Sequence, residues 1–509
     1  MAVRRGPRGH TALLIALALL VSGAGLGLRD PWGVDEERFL GVALEMLQDG
    51  SWLVLHRAGE PYPDKPPLFM WVLAGASWLT GAPRLALRLP GLLAAVGCTL
   101  CVYDLGRRLW HRRVGLAAGV LFLAAVQSML VLRAGQTDSL LILWTTLGFY
   151  GLVRHLTVGP AWGWYSVAGV AMGLGVMTKG VGFLPLLLLV PYAYGRRRSY
   201  GRLAPIPATD RRWLLGPFCL VVTVAAWLGP LLVRVAGSGD PALHAYARNL
   251  LLTQTAERMV AAWQHREAFW YFLVEVIPLQ WLPIVGGLPW LLPAWRRRLL
   301  RGDGRLLLLV GWIGLVVAFF SLSSGKRSLY VYPAVPALAL ATAPAVAALL
   351  HRPRVSAGRR RLLHVGAAVW LAGMVGWGFA EPFLKADDYP RRAVMAAVAR
   401  RIGPERELAL VQWRDGQWLF ARNPIVHFGY RGGTDQVGQA LTWLRAGSDR
   451  WLLAADRWLA DCFDMRQAIY VGEDRDRNLY LVAAWMDRGR CPRAPVRSLY
   501  RFRWERPYG

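Results

Sequence analysis

The chain has 509 residues, of which 55% are hydrophobic and only 18% charged, and its mean hydropathy is +0.31. A soluble protein of this length carries more charge and fewer apolar runs, so a soluble globular enzyme is excluded. The formal net charge of +28 does not point to nucleic acid, because the arginines cluster between apolar runs, as membrane topology signals do.

The N-terminal "MAVRRGPRGHTALLIALALLVSGAGLGL" reads as an uncleaved first span rather than a signal peptide, given the apolar runs that follow. Spans are predicted near residues 12–28, 88–109, 114–132, 138–154, 163–178, 180–195, 213–233, 270–294, 304–322, 329–350 and 361–380, since a crossing needs about 20 apolar residues. With "RRGPR" in the cytoplasm, the clusters "GRRLWHRR", "VRHL", "YGRRRSYGR…DRR", "WRRRLLRGDGR" and "HRPRVSAGRRRLLH" all fall on the cytoplasmic side. "PPLFMWVLAGASWLTG" (Pro66–Gly81) is short for a span, and counting it would put every later cluster outside, so it reads as a re-entrant or interfacial helix. The outer connections are then residues 29–87, the turn from Arg133 to Asp138, residues 234–269 and Ser321–Tyr330.

Beyond residue 382 the apolar runs shorten to strand length in "ELALVQW", "IVHFGY", "RWLLAA", "AIYVG" and "NLYLVAAW", with helix-like segments at Pro390–Ile402 and Thr434–Ala446. The chain therefore reads as a polytopic α-helical membrane protein of about eleven or more spans over residues 1–381. Residues 29–87 form its first outer loop, with interfacial helices, and residues 382–509 form a small extracytoplasmic α/β domain. An oxidising compartment allows a Cys462–Cys491 disulfide, which sequence cannot pair. Cys98 and Cys101 lie inside an apolar span with no second ligand pair, and read as buried helix residues.

The polar groups able to do chemistry concentrate in the outer connections. "GVDEERFLGVALEMLQDGSW" (Gly33–Trp52) opens with Asp35, Glu36 and Glu37, and its apolar residues recur at helical spacing until Gly50 stops the helix. A carboxylate at that N-terminus is either a cap favoured by the helix dipole or a general base or metal ligand at the membrane boundary. "EPYPDKPP" holds Tyr62, Asp64 and Lys65 between four prolines; a rigidly placed lysine suits a lipid phosphate or serves as an interfacial anchor. In "RAGQTDSLL", Asp138 opens a span and either caps it or faces a site, with Thr137 able to cap instead. Lys179, at the end of "GLGVMTKG", is expensive between apolar helices unless it meets a cavity or an anion. Arg258 and His265 lie in the long loop "RNLLLTQTAERMVAAWQHREAFWYF", without zinc spacing. Lys326 and Tyr330 lie in "SSGKRSLYVY", where cations beside a glycine could take a phosphate.

The order "DEERFLGVALEMLQDGSWLVLHRAGEPYPDKPPLFMW…RLPGLLAAVGCTLCVYDLGRRLW", followed by "RAGQTDSLL", "GLGVMTKG" and "SSGKRSLYVYPAVPALAL", resembles the bacterial protein-O-mannosyltransferase and aminoarabinose-transferase superfamily over about residues 10–350. The resemblance implies a GT-C fold and an inner-membrane glycosyltransferase that moves a sugar from a polyprenyl phosphate to lipid A, protein or another glycan on the periplasmic face. It makes Asp35 the candidate catalytic carboxylate and Asp138 a second acidic site residue. Tyr62, Lys65, Lys179, Arg258, Lys326 and Tyr330 become candidates for the donor phosphate, with Glu36 and His265 as further candidates. A divalent cation is possible, with Asp35, Glu36 and Asp64 as its ligands. The family commonly reads "FxKPP" where this chain has "PDKPP", which puts a metal role for Asp64 in doubt. A transporter or flippase of a lipid-linked sugar is the alternative. It would show inverted repeats and midplane helix breaks, and the sequence has no such repeat.

Overall fold

The computed structural model describes residues 7–252, 267–351, 356–386, 388, 390–430, 435–474, 477–497 and 499–503. Helices form in chain order at α1 (Pro7–Gly23), α2 (Gly33–Asp49), α3 (Leu68–Thr80), α4 (Pro83–Leu109), α5 (Arg112–Ala124), α6 (Val126–Leu132), α7 (Thr137–Thr157), α8 (Trp162–Lys179), α9 (Leu189–Arg197), α10 (Leu215–Ala236), α11 (Leu288–Leu300), α12 (Gly304–Leu322), α13 (Val335–His351), α14 (Ala357–Leu384), α15 (Arg391–Ile402), α16 (Asp415–Phe420) and α17 (Asp435–Arg445). The chain divides into two compact units. One comprises residues 1–26, 63–69 and 88–379, and the other residues 27–62, 70–87 and 380–509.

The first unit is helical, and a helical segment lies at each of the eleven predicted span positions. Among the described residues, six helices are long and apolar enough to cross a membrane, or eight if each bent pair is one span. Part of the difference from the expected eleven or more is visible in the elements. α9 has only 9 residues, after a 3-10 turn at Leu184–Leu188. Two spans expected to be straight are broken: α5 and α6 meet at 65°, and Phe272–Gln280 meets Val285–Leu300 at 103°. At the first break Ala125 is extended, and the Ser128 hydroxyl turns back to donate to the Phe122 carbonyl at 2.6 Å, a side-chain bond that bends helices.

Small residues let the spans approach closely. A methyl on Gly151 would press into the Trp164 carbonyl where α7 lies on α8. Arg133, almost fully buried, donates to the carbonyls of Ala24 and Gly378 and so ties the end of α1 to α14. α7 separates two polar ends. Asp138 stands at its start, while Tyr150, twelve residues or about 18 Å further on, donates to Asp104 at 2.7 Å. Asp104 also holds Arg107 and Arg108, so the "GRRL" cluster is ordered by its own acid.

The second unit is built on a mixed sheet. Strands form at each of the five predicted runs: β3 (Leu408–Leu410), β4 (Ile425–His427), β5 (Trp451–Ala455), β6 (Ile469–Glu473) and β7 (Asn478–Ala483). They follow a short hairpin of β1 (His56–Arg57) and β2 (Glu60–Pro61), and an unpredicted β8 (Tyr500–Phe502) completes the sheet. The strand order is β6-β7-β5-β3-β4-β8, with β3 parallel to both β4 and β5 and the remaining pairs antiparallel. β3 and β4 are buried throughout, as central parallel strands covered on both faces are. Cys462 and Cys491 form a disulfide, with their Cα atoms 5.2 Å apart. α3 has 13 residues and rises about 20 Å, short of the roughly 30 Å hydrocarbon core.

Candidate active site

α2 begins after a turn in which Trp32 is extended and Gly33 sits at φ 71°, and ends where Gly50, at φ 71°, donates to the Met46 carbonyl. The three acids at its start meet three different surroundings. Glu36 accepts from Arg29 at 2.8 Å and from the Trp32 backbone N–H at 2.9 Å, closing the helix start as a capping carboxylate does. Glu37 pairs with Arg391 of α15 at 2.7 Å, with both side chains buried. Asp35 keeps 23% of its side chain exposed, against 3% for Glu36 and 5% for Glu37, and faces Arg38 at 3.7 Å.

Arg38, which the motifs do not single out, joins this group, and its place one turn after Asp35 is the signal that could have found it. Burial works against its charge, but Tyr62, by charge and hydrogen bond, and the carboxylates of Asp35 and Asp415 outweigh it and hold the guanidinium more firmly protonated than usual. Tyr62 itself is fully buried. The hairpin before it is held from two sides. Glu45 accepts the Ala58 and Gly59 N–H groups at 2.9 and 2.6 Å, at a turn where Ala58 and Gly59 have φ 53° and 79°. Burial raises the Glu45 carboxyl to about 7, against the lowering effect of the bond from Gly59. Arg57 forks onto Asp415 at 2.7–3.2 Å, and Trp413 donates to the same carboxylate at 2.9 Å. Burial pushes Asp415 up, but the charge and hydrogen bonds of Arg57 bring it below the usual carboxylate range. Asp35, Arg38 and Tyr62 are thus brought together within the second unit.

The first unit assembles a separate group. Gln136, not Asp138, occupies the N-cap of α7 and makes no side-chain cap bond. The Asp138 carboxylate instead accepts from Lys179 Nζ at 2.5 Å, and that nitrogen lies 4.5 Å from the centre of the Tyr330 ring. Three predicted residues from α7, α8 and the turn before α13 therefore meet. Lys326 does not join them: it is buried and donates to the carbonyls of Ser323 and Glu267 at 2.7 and 2.8 Å. This fastens the loop, and these backbone acceptors leave no trace in a motif. Asp64 and Lys65 are half-buried in the first unit. Arg258 and His265 lie outside the described residues.

A divalent cation does not fit the acids at the start of α2. Both Glu36 oxygens face donors, and among the described residues no group of three His, Cys, Asp or Glu could hold a metal ion.

Residues 64–227 match the family model described as dolichyl-phosphate-mannose-protein mannosyltransferase. The chain is 30% identical over 380 residues to an undecaprenyl phosphate-alpha-4-amino-4-deoxy-L-arabinose arabinosyl transferase of Pectobacterium carotovorum, covering 71% of this chain and 62% of that one. It is 29% identical over 343 residues to the Serratia proteamaculans protein of the same name, covering 65% and 58%. The chain thus spans about three-fifths of the length of these relatives. Among solved structures it resembles ArnT from Cupriavidus metallidurans bound to undecaprenyl phosphate, with a TM-score of 0.72 at 22% identity over 94% of this chain and 98% of that one. It also resembles the apo oligosaccharyltransferase of Archaeoglobus fulgidus, with a TM-score of 0.54 at 14% identity over 88% and 70%.

Proposed function

We propose that this chain, which belongs to the superfamily joining the aminoarabinose transferases to the protein mannosyltransferases and has their GT-C fold, is a multi-pass glycosyltransferase of the bacterial inner membrane that moves a sugar from undecaprenyl phosphate to lipid A. The donor sugar is of the pentose type carried by its arabinosyl relatives, and the reaction takes place on the periplasmic face. The observation that carries the site assignment is the partition of the three acids: Glu36 and Glu37 are buried against arginines, while Asp35 keeps solvent access beside Arg38. The orientation is supported by the separation of Asp138 from the Asp104–Arg107–Arg108 cluster along α7, since arginine clusters stay cytoplasmic. The Cys462–Cys491 disulfide supports an oxidising compartment for the sheet.

In the reaction an acceptor oxygen attacks the anomeric carbon of the donor. The bond from that carbon to the phosphate oxygen breaks, and its electron pair leaves on the lipid phosphate. Inversion follows from a single displacement. A hydroxyl acceptor must lose its proton, and Asp35 takes it. A phosphate acceptor is already anionic, and Asp35 then orients it. The leaving phosphate gains charge as the bond breaks, so fixed cations lower the barrier. Arg38 stays charged throughout. In the first unit, Lys179 directs one N–H at Asp138.

The test is transfer by the purified full chain from undecaprenyl-phosphate-linked aminoarabinose to lipid A, read by mass spectrometry. Asp35→Asn lowers turnover by at least about 100-fold with the fold intact. Full activity in both Asp35→Asn and Lys65→Ala overturns the site assignment.

A further inference from the structure

α2 is buried on nearly every side from Glu36 to Met46, and one row of it meets the sheet side of its unit. Glu37, Gly41 and Glu45 stand at i, i+4 and i+8, which places them in one row along the helix. Each is fastened. Glu37 meets Arg391, which also reaches Asp474 at 3.2 Å after β6, and the side chains of all three are at most 5% exposed. Gly41 lies against α16: a methyl there would come within 3.3 Å of the Trp418 ring and 3.4 Å of Asp415 Oδ1. Glu45 holds the β1–β2 turn, and a methyl on Gly59 of that turn would run into the Tyr500 ring of β8. Gly416 of α16 completes the seat, because a side chain there would fall 2.7 Å from the Glu37 carboxyl carbon and strike the Arg391 stem. Asp35 sits two residues before Glu37, about 160° around the helix from the row.

We infer that residues 380–509 act as a positioning module for the reacting carboxylate, with Arg391 as its principal positioning residue, acting on Asp35 through Glu37 and the rotation of α2. The inference rests on the assignment of Asp35 above. A fully buried Glu–Arg–Asp triad gains little net stability over apolar residues of the same volume. It does fix one rotation and one register of the helix it grips, and a rotation of α2 by a few tens of degrees would carry Asp35 away from its reacting atom. Positioning of this kind is worth orders of magnitude in rate.

The experiment compares the full chain with Arg391→Lys, Glu37→Gln and Gly416→Ala in the transfer assay, with melting recorded for each. Arg391→Lys keeps the charge but loses the planar fork that reaches two carboxylates. The expected result is a loss of at least tenfold in kcat per folded molecule, with the KM for the undecaprenyl-linked donor within twofold of the parent. A second readout does not need activity: the rate at which a membrane-impermeant maleimide labels an Asp35→Cys chain shifts at least threefold when Arg391→Lys is added. Parental kcat in Glu37→Gln and Arg391→Lys, with Asp35→Asn inactive, overturns the positioning role and leaves the site assignment standing. A loss that tracks only the folded fraction, with an unchanged labelling rate, also overturns it. Full activity of Asp35→Asn removes the assignment itself.

Discussion

Arg391→Met removes one buried cation and leaves two buried carboxylates facing each other across its place. The guanidinium lies 2.7 Å from Glu37 and 3.2 Å from Asp474, with side-chain exposures of 2% for the arginine, 5% for Glu37 and 1% for Asp474. Breaking a buried pair by removing one partner costs about 3–5 kcal/mol, chiefly because the other charge is left without compensation. For a unit of 150–250 residues each kcal/mol moves the melting point by about 2–4 °C, so the expected fall at pH 7.5 is roughly 6–20 °C. Intrinsic tryptophan fluorescence during heating measures it. The triple variant Arg391→Met, Glu37→Gln, Asp474→Asn, which buries no charge, recovers most of the loss. A melting point within 2 °C of the parent at pH 7.5 would refute the reasoning.

Three further outcomes follow from individual residues. Lys179→Met lowers turnover at least tenfold and couples to Asp138→Asn in a double-mutant cycle, whereas Tyr330→Phe, which keeps the ring under the ammonium, changes turnover less than threefold. Removing the disulfide by Cys462→Ala and Cys491→Ala, which frees a loop closed over a sequence separation of 29, costs about 3.5 kcal/mol in the chain-entropy account and appears as a lower melting point without reductant. His427 is fully buried on β4, and burial lowers its imidazole from 6.5 to about 3. The unfolded chain therefore binds the extra proton between those values, and stability falls as the pH drops through that window, by about 2 kcal/mol at pH 5. His427→Phe abolishes that slope, which pH-dependent melting measures.

Where the signal is local, the fold is legible in the sequence. Runs such as "RWLLAA" and "NLYLVAAW" form β5 and β7, and Gly50 ends α2, because short apolar runs and a left-handed glycine act within a few residues. The break at Ala125 is not legible, since no proline or glycine stands at it, whereas Pro278, Pro283, Gly286 and Gly287 mark the break before Val285. β8 is a missed signal: Tyr500, Phe502 and Trp504 alternate with Arg501, Arg503 and Glu505, the period of a strand with one covered face. In the site, Asp138, Lys179 and Tyr330 stand in three separate motifs, and the fold brings them together. Arg391, Asp415 and Asp474 are invisible in the sequence, because partners more than 300 residues from α2 leave no spacing to read.

The acids at 35–37 show why neighbours in sequence do not make a cluster in space. Successive helix residues point about 100° apart, so three adjacent carboxylates diverge instead of converging on one ion. Glu36 turns back to its own helix start, Glu37 turns to the sheet side, and Asp35 is left toward solvent with Arg38 one turn on. A partly exposed ion pair such as Asp35–Arg38 contributes at most about 1 kcal/mol and holds its carboxylate only loosely. Burying the two neighbouring acids against arginines shifts that task to the protein interior, where a charge pair has one geometry and little freedom. On the proposal that Asp35 reacts, Glu36 and Glu37 serve it by being unavailable for chemistry themselves, and replacing either lowers turnover in the transfer assay.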